Sequence, residues 1–168
     1  MKIPEYTEFT TALAERRDQP VAVFDALRAL TEATVGVKLF TVMTFDPRTR
    51  MAQRIYSNMP DAYPVSGTKP ANPTDWSRLV LQEKKTFVAN NIGGIAKVFE
   101  DHELIRSLGC ESVMNVPIIV AGEVIGTINC LHEAGFYTPE KIQAAEALKL
   151  PGALCLLLQQ RNPSSGDR

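Results

Sequence analysis

Ser112-Val113-Met114-Asn115-Val116-Pro117-Ile118-Ile119-Val120, then Ala121-Gly122, then Glu123-Val124-Ile125-Gly126-Thr127-Ile128-Asn129-Cys130-Leu131-His132, is the stretch that decides the fold. Both runs are rich in β-branched residues, and the two residues between them end in glycine, the sequence form of a tight antiparallel hairpin. Successive side chains on a strand leave opposite faces. Met114, Val116 and Ile118 therefore share one face, and Val113, Asn115 and Pro117 the other. The return run separates Val124, Gly126, Ile128, Cys130 and His132 from Ile125, Thr127, Asn129 and Leu131. The more apolar sets belong against a layer of helices, with Gly126 admitting close approach. Asn115, Thr127 and Asn129 then face a pocket.

Upstream, apolar residues recur at helical spacing between Pro20 and Gly36, which predicts a helix over about 20–35. A shorter helix is expected within Tyr6–Arg17. Val37–Phe45 and Met51–Ser57 read as paired strands around the turn Asp46-Pro47-Arg48-Thr49. The segment 58–73 carries four prolines and little periodicity, the composition of a lid or binding loop. Thr74 starts a helix with Trp76, Leu79 and Val80 on one face, and Thr86–Ala89 is a short strand. Gly93-Gly94 reads as a break before a single turn at Ile95–Phe99. Asp101 is placed as the cap of a short helix closed by Gly109. Thr138-Pro139-Glu140 opens the last helix, which Pro151-Gly152 is expected to kink or divide. The expected organisation is an N-terminal helical segment over 1–19, one domain over 20–160 and a flexible tail over 161–168. The fold class is α+β, an antiparallel sheet of five or six strands with terminal helices on one face and lid loops over a pocket on the other.

Eighteen basic and nineteen acidic residues give a net charge of −1, which excludes a nucleic-acid footprint. No apolar run approaches the roughly 20 residues a bilayer span needs. Three widely spaced cysteines, Cys110, Cys130 and Cys155, form neither a disulfide framework nor a metal knuckle. With no leader-like N-terminus, the expected location is the cytoplasm.

Val116-Pro117-Ile118, Gly122-Glu123-Val124-Ile125-Gly126-Thr127-Ile128 and Phe136-Tyr137-Thr138-Pro139-Glu140 resemble the C-terminal half of a GAF domain. The likeness extends more loosely over about 20–160. It implies a small-molecule pocket under the central loops and dimerisation through the terminal helices, in a protein that acts as a sensor or regulator. The chain reads as a stand-alone member, acting as a homodimer or through a protein partner.

The candidate ligand contacts are Arg54 and Tyr56, two apart on the earlier hairpin, with Asn115, Thr127 and Asn129. Tyr63 and Lys69 in the lid and Trp76 at the next helix start complete the set. An arginine among amides, a hydroxyl and a phenol suits a small anionic or aromatic metabolite. Two further readings stand beside this one. The first is an enzyme, a hydrolase, isomerase or reductase, using Cys110 as nucleophile with His102 and Lys69 as acid, base or electrophile. The second is an interaction module with a vestigial pocket. Cys130 and His132 share a face, but a buried thiol and a strand-end imidazole account for them without a metal. The bilin-type pattern of a cysteine followed by histidine is missing, since Glu111 follows Cys110, and no haem ligand is indicated. No cofactor is expected.

Overall fold

The computed structural model describes residues 4–71 and 73–162. Its centre is a six-stranded antiparallel sheet. In chain order the strands are β1 (Leu39–Asp46), β2 (Met51–Ser57), β3 (Lys69–Pro70), β4 (Phe87–Ala89), β5 (Ser112–Val120) and β6 (Glu123–His132). Their spatial order is β3-β2-β1-β6-β5-β4. The β5–β6 hairpin turns on Ala121 and Gly122, both at positive φ (50° and 81°). That is the geometry in which a two-residue turn matches the twist of its strands.

One face of the sheet is dry. Helices α1 (Thr7–Ala14), α2 (Val21–Thr34) and α7 (Lys149–Arg161) form a single apolar core with Phe40, Val42, Met114, Val116, Ile118, Ile128 and Cys130. The alternation read from the sequence places Met114, Val116, Ile118, Ile128 and Cys130 correctly, but a register shift between Ile118 and Ile119 leaves Ile125 an extra residue on β6, and Ile125, read for the other face, packs against this core. Two glycines set how closely α7 approaches. A Cβ on Gly126 would stand 2.2 Å from the Met43 carbonyl oxygen and 2.8 Å from Leu156, and one on Gly152 would stand 2.7 Å from the end of Ile128.

Several local expectations are corrected. The last helix is interrupted before Pro151-Gly152: α6 (Pro139–Ala144) passes into a 3-10 turn at Ala145–Leu148, and α7 then runs through both residues. Pro151 sits in the first turn of α7, where its missing N–H costs no helical bond. The Ala147 carbonyl, four residues before it, accepts instead from the Tyr6 hydroxyl (3.2 Å). Gly93-Gly94 does not break the chain. Both lie inside α4 (Ile92–Ala96), which Asn91 caps by accepting from Gly94 N (2.8 Å). The helix at Thr74 is a three-residue α3 (Asp75–Ser77) followed by a wider π-helical turn over Arg78–Gln82. Asp101 precedes α5 (His102–Ser107) without capping it. Its carboxylate is taken by a residue of the lid. Part of the lid is also strand: β3 pairs with β2, and Pro70 is tolerated there because β3 is a sheet edge. Of the expected tail at 161–168, Arg161 ends α7, and 163–168 lie outside the described residues.

The two glycines are unequal in what they would tolerate. Gly126→Ala forces backbone apart and is expected to cost about 2–3 kcal/mol. Gly152→Ala meets only side-chain ends and gains helix propensity, so its loss should stay within about 1 kcal/mol. Urea unfolding of both variants checks this ordering; equal losses would contradict it.

Candidate functional site

The opposite face of the sheet is polar in two rungs that cross the strands. The first is Asn115 on β5, Asn129 on β6 and Thr41 on β1, which are register partners across adjacent strands. All three are 5% exposed or less, so their polar atoms need partners inside the protein. They find them in a chain. Trp76 Nε1 donates to Asn115 Oδ1 (2.9 Å), Asn115 Nδ2 to Asn129 Oδ1 (2.7 Å), and Asn129 Nδ2 to Thr41 Oγ1 (3.2 Å). An indole N–H can only donate. It therefore fixes which way Asn115 points, Asn115 fixes Asn129, and the direction of the whole chain follows. Each amide keeps one N–H for which no acceptor occurs among the described residues.

The second rung is Arg54 on β2, Met43 on β1 and Thr127 on β6, again register partners. Its position depends on a bulge. Val42 pairs with Tyr56 and Met43 with Arg54, so Ile55 is an extra residue on β2. The bulge sends Arg54 and Tyr56 to opposite faces, contrary to the simple alternation that put them together. Tyr56 joins the helix-side core, where its hydroxyl donates to Asp25 of α2 (2.6 Å) and its ring stacks on Phe24. It is not part of the site.

Arg54 remains. Its guanidinium lies 3.9 Å from the centre of the Tyr63 ring and donates through Nη1 to the Pro64 carbonyl (2.9 Å). Ser66 bonds both the N–H and the carbonyl of Arg54, so the lid is laced to β2 over three successive contacts. Tyr63 is buried, and its hydroxyl donates to Asp101 (2.6 Å), which ties the lid to the start of α5. Burial, and then that hydrogen bond to a carboxylate, hold the Tyr63 phenol well above the ordinary tyrosine range. It stays a neutral donor at physiological pH. Asp101 is thus committed to Tyr63, and Arg54 makes no ion pair among the described residues.

Between this floor and the lid lies a cavity of about 350 Å³ that reaches Arg54, Tyr63, Lys69, Trp76, Asn115 and Asn129. A second recess of about 150 Å³ adjoins it, sharing Met43, Trp76 and Phe99 and ending at Phe45, Ala52, Leu81 and Thr127. Trp76 and Phe99 meet edge to face over the floor. Of the sequence-selected contacts, the structure brings together Arg54, Tyr63, Lys69, Trp76, Asn115, Thr127 and Asn129, and leaves out Tyr56. Met43, Thr41, Phe99 and Asp101 were missed. Thr41 and Met43 share a parity on β1 that the sequence displays, whereas Phe99 and Asp101 reach the cavity from a connection with no periodic signal.

Three of the buried polar side-chain atoms find no partner among the described residues, and two of them, Arg54 Nε and Thr127 Oγ1, belong to cavity-lining residues.

The candidate nucleophile is elsewhere. Cys110 is fully buried in the small cluster with Ile95, Ile105 and Leu131, and burial pushes its thiol up against the weaker opposing pull of Lys38. His102 holds the Phe99 carbonyl through Nδ1 (3.1 Å) and Glu103 through Nε2 (3.3 Å). Neither lines the cavity, so of the three catalytic candidates only Lys69 does, and it is exposed. Cys130 lies in the helix-side core and His132 stacks on Phe136 (3.4 Å between ring centres); burial lowers the His132 pKa. No cluster of three metal-ligating side chains occurs among the described residues.

The GAF domain family matches residues 21–149, most of the chain. The chain belongs to the GAF family. Solved GAF domains superpose on it at low sequence identity. The GAF domain of a two-component sensor histidine kinase from Bacillus halodurans is 11% identical with a TM-score of 0.68, covering 85% of this chain and 97% of its own. The phycoerythrobilin-bound GAF domain of a cyanobacterial phytochrome is 14% identical with a TM-score of 0.65, covering 93% and 94%. The GAF domain/HD domain protein of Geobacter sulfurreducens is 14% identical with a TM-score of 0.64, covering 82% and 92%. No curated protein matches the sequence. At these identities the likeness establishes the GAF fold. None of the three thiols of this chain lines the cavity.

Proposed function

We propose that this GAF domain binds a small anionic or aromatic metabolite, noncovalently, between the polar sheet face and the 58–71 lid, and that occupancy regulates a partner. Arg54 carries the reading. A guanidinium in the cavity wall, stacked on a buried tyrosine, with its Nε buried and unpartnered and no carboxylate paired to it among the described residues, offers an anion a charged donor. The lid that covers the site is fastened through that same arginine. A ligand that draws Arg54 away from Pro64 and Tyr63 would therefore change the lid and, through Tyr63–Asp101, the start of α5. No cysteine or histidine lines the cavity among the described residues, and the Tyr63 hydroxyl is held neutral by burial, which favours binding over turnover. No helix among them is long and apolar enough to cross a membrane; three unpaired, buried thiols suit a reducing cytoplasm.

The proposed assembly is a homodimer through the terminal helices. Leu150, Leu154 and Leu157 fall on one outward stripe of α7 and are 70%, 38% and 39% exposed. Leu154→Lys should convert a dimer to monomer in sedimentation velocity without changing the circular dichroism spectrum; a wild-type chain that sediments as a monomer at high micromolar concentration would end this part of the reading.

Equilibrium dialysis against a metabolite extract of the source organism, read by mass spectrometry, tests the binding role. The wild-type chain should retain a compound that Arg54→Gln retains at least tenfold less. Equal retention by both would show that the cavity is not the binding site.

A further inference from the structure

The cavity has two poles. Arg54 and Thr127 flank Met43 as register partners, so their backbones stand two strand spacings apart, about 9–10 Å. At one pole Arg54 Nε is buried without a partner, and at the other Thr127, 2% exposed, has a buried hydroxyl without one. A native interior rarely leaves such atoms unsatisfied, and each calls for an explanation. Between the poles the surface is apolar and largely aromatic or flat: Met43 below, Trp76 and Phe99 above, and Phe45 and Leu81 at the end. A recess of about 150 Å³ is the size of an apolar cavity that accepts a benzene ring.

One ligand chemistry answers all three features. Resting on the binding role proposed above, we infer that the ligand is a small aromatic carboxylate: its carboxylate seats on Arg54, and its ring lies in the recess with a hydrogen-bonding substituent meeting Thr127. The carboxylate accepts from the guanidinium, whose Nε is buried and has no partner among the described residues. Exposed Lys69 stands at the same mouth and adds charge without fixing geometry. The amide N–H groups left over on Asn115 and Asn129 border the path between the poles and suit a further acceptor on the ligand's arm. A phosphate ester fits less well, because its double charge asks for several convergent cationic donors and this cavity offers one guanidinium and a solvated lysine.

The test uses the full chain and four defined probes: 4-hydroxyphenylacetate, phenylacetate, 4-hydroxyphenylacetamide and tyramine. Binding is followed by amide chemical shifts and titration calorimetry. The hydroxylated carboxylate should bind at least tenfold tighter than the amide or the amine and should shift the amides of Met43, Thr127 and Asn129. Arg54→Gln should remove that advantage while changing the amide's affinity less than twofold. Thr127→Val, which keeps the shape, should abolish the preference for 4-hydroxyphenylacetate over phenylacetate. Arg54→Lys, retaining charge, guards against a folding defect and should keep part of the carboxylate preference. If the neutral or cationic probe binds in the cavity as well as the carboxylates, this inference falls and the binding role stands. A preference for the ring hydroxyl that survives Thr127→Val also overturns it. If no probe of any charge shifts a cavity amide, both fall.

Discussion

The hydrogen-bonded row from Trp76 through Asn115 and Asn129 to Thr41 is the constraint around which the cavity is arranged. It runs across three central strands whose other face is closely packed hydrocarbon, and it buries two amides where leucine or valine would seal the sheet at no polar cost. Because the indole can only donate, the row has one direction, and Trp76 is anchored above the floor at a fixed place. That anchor positions the roof, since Phe99 packs on Trp76 and on Phe87. The residues flanking Phe99 are then aligned so that Asp101 receives the lid through Tyr63.

The second rung works by geometry rather than by satisfaction. One extra residue on β2 turns Tyr56 into the helix-side core and Arg54 into the cavity, so a single bulge both completes the core, through Tyr56 and Asp25, and supplies the cavity with its cation. Close approach of α7 at Gly126 stabilises the same region from behind. Its neighbour Thr127 faces the cavity while Gly126 faces Leu156, so the residue that permits tight packing and the residue that presents a hydroxyl are adjacent in the chain.

Most of this architecture is legible in the sequence where two strands carry long, regular alternation. The β5–β6 hairpin, most of its core face and the pocket-facing Asn115, Thr127 and Asn129 follow from parity alone. Tyr56 was misplaced because parity cannot register a bulge, which is a property of the pair of strands and not of one. The function of Asp101 was misread for a related reason. An aspartate before a helix looks like a cap, and only the tertiary position of Tyr63, 38 residues earlier, reveals the stronger competitor for its carboxylate. Asn91 as a cap was obscured by the glycines after it, although those glycines lie inside the helix. Cys110 and His102 invite a catalytic reading by type and nearness in sequence, but Cys110 is buried in a separate cluster and the half-buried His102 is held by the Phe99 carbonyl and Glu103, so neither lines the cavity.

If the polar floor exists to bind rather than to hold the fold together, its removal should separate stability from function. The variant Trp76→Phe/Thr41→Val/Asn115→Leu/Asn129→Leu replaces every member of the buried polar row by an apolar side chain, an exchange that is often neutral or stabilising when all the partners go together. Measured side by side, its urea midpoint should equal or exceed that of the wild-type chain while its retention of the metabolite in dialysis falls to background. A variant that unfolds more readily yet retains the compound unchanged would show that the row is structural support, and would contradict the account of the cavity as a binding site.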